Sequence, residues 1–314
     1  MKRYPGTARH QAGAAVLVAM LVVAMAALAA SSFMFRAQVE WRRLENLTRQ
    51  DQAHWVLRAT ERWGAAVLLD DARQSSVDHP GEAWATQLPP VEAEGYRVSG
   101  RMEDQDSRFN LNNLVAEGKA DTGQMRVFTR LLRSLNLPET LAAAVVDWMD
   151  ADDIPQNPES AESAYYASRS YANQASYRAA NRPLVSLNEL LRVKGFDRQV
   201  LAQLRPFVTL LPSRSVVNVN TARPEVLAAL VEGMALSEAY AMVAKRERTY
   251  YRNVQDFQQA MPAGLISPEA LISVSSRYFL VQARIRHDRL SIGSLALFHR
   301  AGSTPPTLVW RAEL

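Results

Sequence analysis

"AGAAVLVAMLVVAMAALAASSFMF", residues 12–35, carries no charged residue, and it runs without proline into "RAQVEWRRLENLTRQDQAHWVLRATERWGAAVLL", residues 36–69. At about 1.5 Å per helical residue the first stretch reaches about 35 Å, enough to cross the hydrocarbon of a bilayer. A secretory signal would have a shorter apolar core followed by a small-residue cleavage site. In the second stretch Val39, Leu44, Leu47, Val56, Leu57, Thr60, Trp63 and Val67 recur near helical spacing. The two read as one long helix ending near Leu69, its first half in lipid and its second half amphipathic. Lys2, Arg3 and Arg9 precede the span, and Arg36, Arg42 and Arg43 follow it. The expected orientation puts the short basic leader inside and the large domain outside, as a single-pass membrane protein.

The chain has 314 residues, 48% hydrophobic and 22% charged, enough for a core of one or two domains. Its net charge is +4, but beyond residue 13 the balance is 33 basic to 32 acidic residues. The excess charge lies largely in the leader, so it argues poorly for nucleic acid. Cysteine is absent, which excludes disulfides, thiolate zinc sites and thiol nucleophiles. The five histidines (His10, His54, His79, His287 and His299) make no metal-ligand spacing. Trp41, Trp55 and Trp63 lie along the long helix and read as core or subunit-packing residues.

Residues 70–95 are polar with turn signals. "YRVSGRMED" alternates as a strand as far as Met102. From about 120 to 270 the pattern is almost wholly helical, and strands return in "SRYFLVQARIR", "RLSIGSLALFHR" and "PTLVWRAEL". The expected class is therefore α+β: a long N-terminal helix packed on a small antiparallel sheet, with a large all-α domain inserted. Within the insert, "LLRVKGFDRQVLAQL" and "LAALVEGMALSEAYAMVAKR" each read helix, Gly-containing turn, helix, and resemble helix-hairpin-helix units. A membrane-tethered DNA-binding protein is thus the alternative function. Phosphate approach favours two glycines in such a turn. Here Gly195 and Gly233 stand alone, and Asp197 sits where a phosphate would lie, so helix packing is the expected use.

"DWMDADDIPQNPESAESAYY", residues 147–166, gathers Asp147, Asp150, Asp152, Asp153, Glu159 and Glu162. Catalytic carboxylates need a dry cleft that shifts their pKa values apart, and no Gly-x-Ser-x-Gly, HExxH or P-loop accompanies them. No enzyme is expected. A solvated loop conflicts with Trp148, Tyr165 and Tyr166, which hold the like charges close. A divalent cation relieves that repulsion, and calcium takes six to eight oxygens. With 141–149 helical, Asp147 and Asp150 share a side at its C-terminus. Asp152 and Asp153 then follow in a turn, and Glu162 returns from the far end. The EF-hand spacing is missing, and no His or Cys suggests zinc.

A basic leader ending in "HQAG" resembles a type IV prepilin leader, which implies cleavage after Gly13 and a mature N-terminus at Ala14. Most pilins carry Glu at the fifth mature position, where this chain has Val18. With "SRFNLNNL", "DWMDAD", "SAESAYY", "YRAANRPL", "LNELLRV" and "NVNTA" in this order, the chain resembles the K-type minor pseudopilin of the type II secretion system. The missing Glu is itself typical of that type. The resemblance implies a subunit at the tip of a periplasmic pseudopilus, initiating or capping it. Its partners would be the I-type and J-type minor pseudopilins, the major pseudopilin, the prepilin peptidase and the inner-membrane assembly platform, with no nucleic acid. It implies a leader at 1–13 and a long helix at 14–69, transmembrane over 14–35. A pilin-like α/β domain at 70–110 and 274–314 would enclose a helical insert at 111–273. It further implies a methylated mature amine, a partner-helix interface through Val18, Val39, Leu44 and Leu47, and structural calcium. Carried over by motif, the ligands are Asp147, Asp150, Asp152 and Glu162, with Asp153 and Glu159 weaker. Ser160 stands where the family motif has Gly.

Overall fold

The computed structural model describes residues 9–93, 95–158, 160–168, 177–266, 268–287 and 290–314, without the side chains of 9–12 and 88. In chain order the elements begin with helix α1 (Arg9–Gln74), strands β1 (Leu88–Ala93), β2 (Tyr96–Asp104), β3 (Phe109–Asn110), β4 (Val115–Ala116) and β5 (Lys119–Ala120). Helices α2 (Thr122–Ser134), α3 (Thr140–Met149), α4 (Ser163–Ser168) and α5 (Arg198–Leu204) follow, then strands β6 (Val208–Thr209) and β7 (Val217–Asn218). Helices α6 (Pro224–Leu230), α7 (Leu236–Arg246) and α8 (Val254–Ala260) lead to strands β8 (Ile272–Ser273), β9 (Tyr278–His287), β10 (Leu290–His299) and β11 (Thr307–Glu313).

The chain divides into two compact units, residues 1–56 and 57–314. In the first, α1 is long and apolar enough to cross a membrane by length and composition. Gly13, Ala14 and Val18 lie inside this helix, and Val18 is exposed. The leader before residue 9 lies outside the described residues. Val39, Leu44 and Leu47 are all about half exposed or more. Trp41 and Trp55 are more exposed still, and Trp63 of the second unit is 51% exposed, so none of the three belongs to a core.

In the second unit, five antiparallel strands run in the order β1-β2-β9-β10-β11. Neighbours β2 and β9 are separated in the chain by residues 105–277, so the sheet is finished only after the helical body has been made. The buried side of α1 here is Leu57, Glu61, Gly64 and Leu68. Leu68 packs with Trp84, Phe279, Val281, Ala296 and Phe298. Gly64 permits the close approach: a Cβ there would stand 3.3 Å from Val281. Glu61, buried to 1%, accepts from Ser294 Oγ at 2.7 Å and is clasped by Arg311 of β11. The helical spacing takes in Leu57 but passes over Glu61 and Gly64, because it cannot see that a carboxylate and a glycine belong to the packed face.

Three boundaries differ from expectation. The helix continues to Gln74 rather than Leu69, and β2 to Asp104 rather than Met102. Strand β1 occupies "LPPVEA", inside the stretch read as turns. It is an edge strand with a register shift between Leu88 and Val91, where prolines forfeit no ladder bond.

The helical body has its own core, built on α2, α3 and α6 through Phe128, Leu131, Leu132, Val145, Val146 and Leu227. The asparagines of "SRFNLNNL" hold its loops: Asn110 and Asn113 donate to the carbonyls of Ser213 and Ser215, and Asn112 to those of Leu184 and Leu211. An amide that donates and accepts at once can satisfy backbone that no ladder reaches. Both Gly-containing turns form, with φ +86° at Gly195 and +82° at Gly233. The first hairpin's leading segment is a 3-10 turn (Leu187–Arg192) rather than an α-helix. Asp197 accepts from Val200 N at 2.8 Å and so caps α5, an ordinary helix-start role.

Candidate functional site: the carboxylate loop after helix α3

Helix α3 carries the start of the site because "TLAAAVVDWM" is built from helix-forming and apolar residues, and nine of its ten residues are buried. Asp147 is in its last turn, fully buried, and Asp150 is its C-cap, in extended conformation and 1% exposed. The chain turns through Asp152, whose Oδ1 accepts from Ile154 N at 2.9 Å, and returns to Glu162, 5% exposed. Trp148 stands edge-on to Tyr166 at 5.1 Å, and Tyr166 Oη accepts from Lys194 N at 3.1 Å, which fixes the two ends of the loop together. The turn before Glu162 closes without glycine. The Ser160 hydroxyl donates to Asn157 O at 2.9 Å, and Ser160 is not among the residues with positive φ.

Asp150, Asp152 and Glu162 each bring an oxygen within 4.8 Å of the others. Asp147 Oδ1 accepts from Gln156 N at 3.0 Å, and Asp150 Oδ2 from Gln156 Nε2 at 3.3 Å. Among the described residues, four further buried oxygens have no donor: Asp147 Oδ2, Asp150 Oδ1 and both of Glu162. Such atoms are costly in a folded interior unless something compensates them. Burial, then the charges of Asp152 and Asp147, raises Asp150 to about 6. Burial, then Asp147 and Asp150, raises Glu162 to about 8, and burial pushes Asp147 up as well. The donor set is all oxygen, anionic and short of protons, which fits a hard cation of calcium type. Asp153 is exposed and outside the group, and Glu159 lies outside the described residues. Gln156, which steadies two of the carboxylates, carries no signal in the sequence.

A second acidic group is not read from the sequence at all. Asp71, Asp78 and Glu82 bring oxygens together within 4.8 Å. Here the protein supplies the cation: Arg300 Nη1 meets Asp71 at 2.7 Å and Nη2 meets Asp78 at 2.5 Å. Asp104, at the end of β2, accepts from Thr221 Oγ1 at 2.5 Å and Ser276 Oγ at 2.6 Å. Asp106 accepts from the backbone of Arg277 and Tyr278. Asn218 donates to Asp78 O and Ser276 Oγ. Asn218 and Thr221 come from "NVNTA", so that motif ties the helical body to the sheet at the point where the chain leaves and re-enters it.

Comparison with known proteins places these features in a family. The model for "Type II secretion system (T2SS), protein K" matches residues 107–213 and, in a second part, 217–275. The chain is similar to type II secretion system protein K of Pseudomonas aeruginosa, 34% identical over 88% of this chain and 85% of that one. It is similar to the Aeromonas hydrophila protein at 31% over 86% and 87%, and to the Pectobacterium carotovorum protein at 28% over 93% and 94%. Its fold is similar to a chain in the crystal structure of the GspK-GspI-GspJ complex of enterotoxigenic Escherichia coli. The TM-score is 0.75 at 22% identity, over 86% of this chain and 99% of that one. A family model matching more than half of the chain, with the carboxylate loop inside it, and a relative 34% identical over most of both chains mean that the chain belongs to the type II secretion system protein K family.

Proposed function

We propose that the chain is a minor pseudopilin that initiates or caps the pseudopilus of a type II secretion system, without enzymatic activity of its own. The observation that carries this reading is the helical body of residues 105–277 set between paired strands β2 and β9. A filament extends only if each subunit offers both of its repeating contacts. A body of that size crowds the position above. Val18 has no carboxylate to offer a neighbour's terminal amine below.

On this reading α1 anchors the chain in the inner membrane with the second unit in the periplasm. Prepilin peptidase cuts between Gly13 and Ala14, and the new amine is methylated. I-type and J-type minor pseudopilins pack beside the exposed stripe of Val39, Leu44 and Leu47. The major pseudopilin and the inner-membrane assembly platform complete the set of partners. Asp147, Asp150, Asp152 and Glu162 hold a structural calcium ion that supplies the positive charge their unpaired oxygens need. Quantifying this chain in purified pseudopili tests the capping role: a single terminal copy supports it, and numbers comparable to the major subunit overturn it. N-terminal sequencing from membranes tests the processing, and a start other than Ala14 overturns that part.

A further inference from the structure

Helix α2 carries Arg126, Arg130 and Arg133 at spacings of four and three residues, on one side of the helix. Together with Glu232 and Gln156 they line a groove of about 540 Å³ against the turn between α6 and α7. The fold uses two of the three arginines. Arg130 donates to Ala229 O at 2.7 Å and Leu230 O at 3.3 Å, capping the end of α6, and lies 3.9 Å from Glu232. Arg133 holds Glu139 through two bonds of 2.7 and 2.9 Å. Arg126 is exposed, and no ion pair or hydrogen bond engages it among the described residues. Repulsion from Arg126 and Arg133 adds to burial in lowering the Arg130 pKa. Arg126 therefore costs the free protein something and contributes no contact to the fold.

We propose that this groove receives a carboxylate side chain from an acidic segment of a protein partner, with Arg126 as its principal contact. A planar guanidinium pairs with a carboxylate through two parallel hydrogen bonds, and the charge it neutralises is the one the fold leaves unbalanced. The groove is large enough to admit a side chain and the backbone on either side of it. A phosphate backbone is disfavoured: only one cation is uncommitted, and Glu232, 85% exposed, faces any continuous run of negative charge. The proposal is independent of the calcium reading and of the place of the chain in a filament.

The test uses the full chain in detergent micelles with calcium present throughout, at about physiological ionic strength. The probe is an N-acetylated Gly-Asp-Glu-Asp-Gly amide, titrated to millimolar concentration by NMR. Its Gly-Asn-Gln-Asn-Gly counterpart and a short DNA duplex run alongside. Saturable binding of the acidic peptide, weakened tenfold or more by Arg126→Glu and less by Arg126→Lys, with the amide peptide inert, is the expected result. Because Arg126 is exposed, both variants should melt with the wild type; Arg126→Gln replaces Arg126→Glu if that variant does not. No saturable binding, equal binding by the charge-reversed variant, or tighter Arg126-dependent binding of DNA than of peptide would overturn the proposal.

Discussion

At the junction between sheet and helical body, Arg300 lies between Asp71 and Asp78, 4.6 Å above the ring of Phe279, while hydroxyls and backbone N–H groups meet Asp104 and Asp106. In the loop after α3, Asp147, Asp150 and Glu162 are just as buried, yet four of their oxygens meet no donor among the described residues. At the junction, among the described residues, only Asp106 Oδ1 and the amide nitrogen of Gln105 remain unmet. Both places concentrate negative charge in a low-dielectric interior. One is balanced by a residue of the chain; in the other no described residue supplies the balancing charge. Acid count and burial do not separate the two places; the accounting of donors does.

The comparison can be broken most directly at Arg300. Arg300→Met leaves two buried carboxylates without their cation, and breaking such a pair costs about 3–5 kcal/mol. For a unit of this size that is a fall of about 10 °C or more in melting temperature. Differential scanning fluorimetry should show this loss in chelator, where no added cation can stand in for the guanidinium between Asp71, Asp78 and Glu82. A variant melting with the wild type would mean the junction is not held by this pair.

Chelation should have the next largest effect, acting at the other cluster. An ion held at a hundred times its dissociation constant stabilises by about 2.7 kcal/mol, so a chelator should lower the wild-type melting temperature by about 5–10 °C. A curve indifferent to calcium and chelator would remove the site.

Asp150→Asn sharpens the contrast by changing sign. In calcium it should lose most of what the chelator removes. In chelator it should be neutral or more stable by up to about 1 kcal/mol, since one repelling charge has gone. Urea midpoints in the two buffers separate these outcomes; destabilisation of equal size in both would make Asp150 a purely structural residue.

A further effect, confined to the junction, is expected in pH. Burial and the Asp106 charge raise Asp104 from 3.8 to about 7, so the folded state holds its proton more tightly than the unfolded state does. That contribution is complete below about 3.8 and is lost as pH rises through about 7. Asp104→Asn should flatten this decline, because Thr221 and Ser276 can turn their hydroxyls to suit an amide. Urea midpoints of wild type and variant at matched pH values, in the same calcium buffer, cancel the contribution of the loop. Parallel curves would show that Asp104 does not titrate in this window.

Much of this molecule is local in origin, and that part is readable from the chain alone. An uncharged run of 24 residues leading into helical spacing determines α1, because helix formation and hydrophobicity act over neighbouring residues. The late strands and the helical middle are legible for the same reason, and so is the concentration of carboxylates after α3. Elsewhere the chain alone misleads. The apolar spacing along α1 takes in Leu57 but passes over Glu61 and Gly64, which lie on the packed face, acceptable only because Arg311, Ser294 and Val281 come from 200 residues and more away. "LPPVEA" looks like a turn and is a strand because it sits at an edge where its missing donors are not needed. The two acidic clusters are alike in composition. Only tertiary structure brings Arg300 to one and, among the described residues, no such partner to the other, because pairing of charges depends on distance in space.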